Sequence, residues 1–128
     1  MRSKDVISIR PNLNLDNNQS SDLESFQNIT LRSILKLQHP ITRSLLNHSK
    51  HFPALIQKVN INDRLSLDAF LKKYLTSNIK LRTKIIGVIV GMMTEEELSY
   101  YVENSQELNK RIITMQLQRY GDTIRKSK

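Results

Sequence analysis

Apolar residues recur along most of this chain at the three- and four-residue spacing of an α-helix. Leu67, Phe70, Leu71, Tyr74 and Leu75 give the clearest case, one continuous stripe of a helix. Ser77-Asn78 reads as a junction, and Ile79 to Met93 follows, apolar around most of its circumference. That pattern predicts burial at the centre of a bundle. Most of the exceptions fall in one sector of the helical wheel: Lys80, Thr83, Lys84, Gly87 and Gly91. Two glycines four apart on one face suggest the close approach of another backbone; otherwise Gly91 ends the helix.

Punctuation sets the remaining elements. Residues 1–20 lack a sustained apolar period and are expected to be a flexible arm, with Val6 to Ile9 extended and Asn12 to Ser20 polar. Residues 21–128 then form a single domain. Ser21 and Glu24 have the form of a capping box, opening a helix with Leu23, Phe26, Ile34 and Leu37 on one face. Pro40 disfavours helix at His39 and is expected to break it. A short helix from Ile41 to His48 follows, and Pro53 suits the first turn of another, to about Val59. Thr94 and Glu97 form a second box, with three carboxylates at the positive end of their helix. Ser105 is expected to cap the last helix, which runs to about Arg125.

That last helix carries two apolar stripes. Leu108, Ile112 and Met115 form one; Ile113, Leu117, Tyr120 and Ile124 form the other, roughly 150° away. One stripe suits the core. The other needs a cover, either from the chain itself or from a second subunit. The expected architecture is therefore all-α, a small bundle of five to six helices.

Length and composition narrow the function classes. One core suits 128 residues. With no cysteine, disulfides, thiol nucleophiles and thiolate metal sites are excluded. Neither a secretory signal nor an apolar run of membrane-spanning length is legible, which leads us to expect a cytoplasmic protein. Lys and Arg number 20 against 12 Asp and Glu, a formal charge of +8. Between Arg64 and Lys84 stand six basic residues (Arg64, Lys72, Lys73, Lys80, Arg82 and Lys84) and one acidic residue, Asp68. Such a run is either a solvated helix face or an anion-binding surface. Tyr74 is the one aromatic in its second half, and it belongs to the apolar stripe. Sequence-specific reading of DNA is not indicated.

No phosphate loop, nucleophile elbow or HExxH is present. His48 and His51 are spaced for a shared helix face, but Lys50 lies between them and the nearest carboxylate along the chain is Asp63. They fit a helix C-terminus better than a metal site. Glu103 and Glu107 flank the expected cap at Ser105, so they do not read as an acid–base pair. No cofactor is expected.

Four blocks of sequence add a resemblance. They are Phe26-Gln27-Asn28-x-Thr30-Leu31-Arg32-x-Ile34-Leu35-Lys36-Leu37-Gln38, Leu81-Arg82 through Ile86-Gly87-x-Ile89-x-Gly91, Thr94-x-Glu96-Glu97, and Glu103-Asn104-Ser105-x-Glu107-Leu108-Asn109-Lys110-Arg111-Ile112. Together they resemble a family of short all-helical bacterial proteins often labelled glyoxalase. The resemblance implies a helical fold and, through the label, glyoxalase chemistry. The His-rich THxHxDH motif of glyoxalase II is absent from the chain, and a helical chain does not suit the paired βαβββ modules of glyoxalase I. The matched polar residues Gln27, Asn28, Arg32, Gln38, Asn104, Asn109 and Arg111 could form a site, or could be caps and inter-helix hydrogen bonds.

The reading that follows is a non-catalytic helical interaction module, a homodimer through Ile113, Leu117, Tyr120 and Ile124. The alternative is a protein that binds nucleic acid non-specifically through the basic residues of 64–84. A small enzyme is the third possibility.

Overall fold

A computed structural model describes residues 2–11 and 22–126. The expected Ser21 cap and the polar run from Asn12 to Ser20 lie outside the described residues. Among those described, the chain is all-helical, without a strand. The helices are α1 (Arg2–Ile9), α2 (Asp22–Ser25), α3 (Arg32–Asn47), α4 (Phe52–Ile56), α5 (Arg64–Ser77), α6 (Ile79–Val90), α7 (Glu95–Glu103) and α8 (Ser105–Lys126). A π-helical stretch, Phe26–Leu31, joins α2 to α3 without a break.

Local chemistry sets the boundaries. Asp63 caps α5 by accepting from the Leu65 amide. Asn78 ends α5, and its side chain accepts from the Leu81 amide to open α6. One residue thus serves both helix ends and turns the chain between them. The Thr94 box is formed in full: Thr94 Oγ1 accepts from the Glu97 amide, while Glu97 accepts from the Thr94 amide. The last helix starts one residue earlier than expected, because the Asn104 carbonyl accepts from the Leu108 amide and Ser105 is already helical.

Two buried clusters make the core. In the first, Leu46 and Phe52 meet Leu67, Leu71 and Leu75 of α5, Leu81 and Ile85 of α6, and Tyr120 of α8. In the second, Leu31, Ile34 and Leu35 meet Ile89, Met93, Leu108 and Ile112. Helices α3, α6 and α8 run through both. Helix α6 packs on α3, α5 and α8, which is the central place its apolar circumference predicts.

Several expectations need correction. Pro40 lies inside α3, which continues from Arg32 to Asn47. Its ring leaves the Lys36 carbonyl without the usual amide donor. Lys36 and Pro40 are both on the exposed face, where solvent reaches that carbonyl. The buried residues on either side, Leu35 and Leu46, anchor the helix across the proline. Gly87 has nothing near the position a Cβ would take, so no backbone approaches it. Gly91 is the C-cap of α6, its amide bonded to the Gly87 carbonyl.

The start of the chain differs as well. Val6 to Ile9 is helical rather than extended, and Val6 is buried. Residues 2–11 of the expected flexible arm are held by two arginines. Arg2 donates to the carbonyls of Met93 (2.6 Å) and Gly91 (2.7 Å) at the end of α6. Arg10 forks onto both oxygens of Glu97, at 2.6 and 2.9 Å. No apolar period was needed to place this helix, because charged side chains fasten it.

Candidate nucleic-acid interface

The four residues expected to bind a second subunit lie against the chain's own core. Tyr120 is 1% exposed, and Ile113, Leu117 and Ile124 pack on the cluster around Leu67 and Leu71. The Tyr120 hydroxyl donates to the Thr42 carbonyl at 2.6 Å, and burial raises its pKa. The cover this stripe required is therefore intramolecular, supplied mainly by α5. Two stripes on one helix reflect a core in two clusters, one on each side of α8.

The polar residues singled out by the resemblance also find partners within the chain. Arg111 donates to Gln27 at 2.8 Å, and Arg32 to Asn28 within one turn. Gln38 reaches the Val88 carbonyl, Asn104 the Tyr100 carbonyl, and Tyr101 donates to Asn109. Apart from the Arg32–Asn28 bond, these are inter-helix and helix-end hydrogen bonds. His48 sits at the C-cap of α3, where its Nδ1 lies 2.9 Å from the Ser44 carbonyl oxygen. Among the described residues no three of His, Cys, Asp and Glu come together to hold a metal, and no helix is long and apolar enough to cross a membrane. One polar group is unusual: Gln116 is fully buried on α8, and neither amide atom has a partner among the described residues.

The basic residues of 64–84 do not form one patch. Lys80 and Lys84 are one turn apart on α6 and face the end of α3. Arg82 projects to the other side of α6, with Lys72 of α5 and Lys110 of α8. Arg64 stands apart, 3.7 Å from Asp68, which also lies 3.5 Å from Arg125. Lys73 is exposed on α5 and lines neither side of α6. Tyr74 is turned inward, stacked 5.9 Å from Phe70 and edge-on at 5.3 Å to Phe52. Its hydroxyl donates to the Lys50 carbonyl.

Two grooves result, one on each flank of α6. The larger, about 720 Å³, lies between α3 and α6. Lys50, Lys80, Lys84 and His48 stand around it, over Ile41, Leu45 and Leu81. The smaller, about 420 Å³, lies between α5, α6 and α8, with Lys72, Arg82 and Lys110 at its edges. Among the described residues, no carboxylate lines either groove. That is unusual next to helix faces that normally mix signs, and it leaves these cations without an acidic neighbour in the groove.

Lys50, His48 and the α3 wall lie outside the local charge excess of 64–84. A broader signal was present. No Asp or Glu occurs from residue 25 to 62, nor from 69 to 94. The folded chain brings residues 41–50 of the first run and 78–84 of the second together at the α3–α6 groove. Searches for a matching protein family, a matching curated protein and a matching solved structure each find none.

Proposed function

We propose that this chain binds nucleic acid through its phosphates, using the two grooves that flank α6. The observation that carries this reading is the clustering of Lys50, Lys80 and Lys84 on one side and Lys72, Arg82 and Lys110 on the other, with no carboxylate in either lining. A phosphate chain releases counterions when lysines and arginines neutralise it, and that term needs no base recognition. The overall charge of +8 favours encounter with a polyanion. Of the four residues expected to make a dimer contact, Tyr120 is buried in the chain's own core, while Ile113, Leu117 and Ile124 are partly buried against it.

Fluorescence anisotropy with a labelled mixed-sequence oligonucleotide tests the reading. If about four phosphates are neutralised, affinity falls roughly 50- to 150-fold between 50 and 200 mM salt. Lys80→Glu combined with Lys84→Glu weakens binding by at least tenfold while helicity stays unchanged, because both side chains are exposed. Absence of binding at low salt, or an undiminished affinity in the double variant, overturns the proposal.

A further inference from the structure

We infer that the α3–α6 groove takes single-stranded rather than duplex nucleic acid, with bases turned in against Ile41 and Leu45, which stand over the buried Leu81, and phosphates held by Lys50, Lys80 and Lys84. This rests on the nucleic-acid reading and narrows its substrate class. The groove has two chemistries in one place. Its cations would suit any polyanion, but its floor is apolar and partly open to water: Ile41 is 52% exposed although it is a large aliphatic residue.

A duplex presents phosphates and sugars outward and keeps its base faces stacked inside. It would satisfy the lysines and leave the floor wet. An unstacked strand presents both chemistries together, charged on one edge and flat and apolar on the other. Register agrees with this. Lys80 and Lys84 are four residues apart on one helix face, about 6 Å along its axis, the scale of neighbouring phosphates in an extended strand. The groove volume, about 720 Å³, admits more than one nucleotide unit. The floor offers aliphatic rather than aromatic contact, so the preference is for strandedness and not for base identity.

The test compares oligo(dT), oligo(U) and a duplex of equal length, each about 15 units long, competing for the protein at fixed low salt. The single strands win by about tenfold, and the two sugars are distinguished only if the 2′-hydroxyl is contacted. Ile41→Ser weakens oligo(dT) binding about three- to tenfold and leaves heparin binding unchanged, because heparin has no bases. Ile41→Trp guards against a misfolded variant: it adds a stacking surface and strengthens single-strand binding. If the duplex competes as well as the single strand, or both Ile41 variants bind as the parent does, this inference fails while salt-sensitive binding keeps the broader reading intact. If no nucleic acid binds, both fail.

Discussion

Glu97 is a half-buried carboxylate where three parts of the chain meet. Its carboxylate takes two hydrogen bonds from Arg10, one from Thr30 Oγ1 and one from the Thr94 amide. It therefore joins α1, the π-helical stretch and the first turn of α7. Burial by itself raises the carboxyl pKa, but the hydrogen bonds from Arg10, Thr94 and Thr30 and the charge of Arg10 outweigh it, and the net shift is downward. A carboxyl held below its unfolded value of about 4.3 stabilises the fold above that pH and loses the contribution as pH falls through the folded pKa. Glu97→Gln keeps the shape and removes the charge. At pH 7 it costs roughly 1.5–3 kcal/mol, the range for hydrogen bonds to a charged group. Urea unfolding at pH 7 and pH 3 provides the check. The parent loses stability between them, and the variant loses measurably less. An equal loss in both would assign the acid sensitivity to other carboxylates.

At the scale of elements, the chain's legibility follows the kind of force that sets each boundary. Gly87 gives a direct test within α6. It is exposed, helical and has nothing within reach of an added Cβ. Gly87→Ala is expected to stabilise by about 0.5–1 kcal/mol, because glycine loses more backbone freedom than alanine on folding. An upward shift of the thermal midpoint checks this, and a downward shift would mean that some partner packs on that face after all. Where periodicity or capping decides an element, as at Thr94, at Asn78 and along α5, it was readable from sequence. Pro40 was misread because local preference was weighed without the buried Leu35 and Leu46, which hold both sides of the turn. Helix α1 escaped because its fastening is by Arg2 and Arg10 to positions some ninety residues away. Of the candidate site, Lys80, Lys84, Lys72 and Arg82 were found as a charge run, but their division onto two sides of α6 required the fold. The wall contributed by α3 needed the long acid-free run to be noticed.

For the molecule as a whole, the distribution of charge matters more than its sum. Apart from Asp63 and Asp68, the span from residue 25 to 94 carries no carboxylate, and it includes α3, α4, α5 and α6. The two acid-free runs carry ten lysines and arginines, and five of these, Lys50, Lys72, Lys80, Arg82 and Lys84, stand in the two grooves that flank α6. Like charges gathered in this way repel, and the repulsion is greater in the compact state than in the unfolded chain. Screening relieves it over a distance of about 10 Å at 0.1 M salt. The thermal midpoint should therefore rise by a few degrees as sodium chloride is raised from roughly 20 to 300 mM, the interval over which the proposed nucleic-acid binding should weaken. On the proposed reading, the two opposite responses have one cause, the repulsion among these cations that either phosphate or salt relieves. Lys80→Glu with Lys84→Glu should blunt both, since it removes repulsion and binding together. Chloride is the appropriate anion, because sulfate or phosphate would strengthen apolar burial independently. A thermal midpoint that ignores sodium chloride in the parent would show that these cations are too far apart to strain the fold, and would weaken the case that they are gathered for a polyanion.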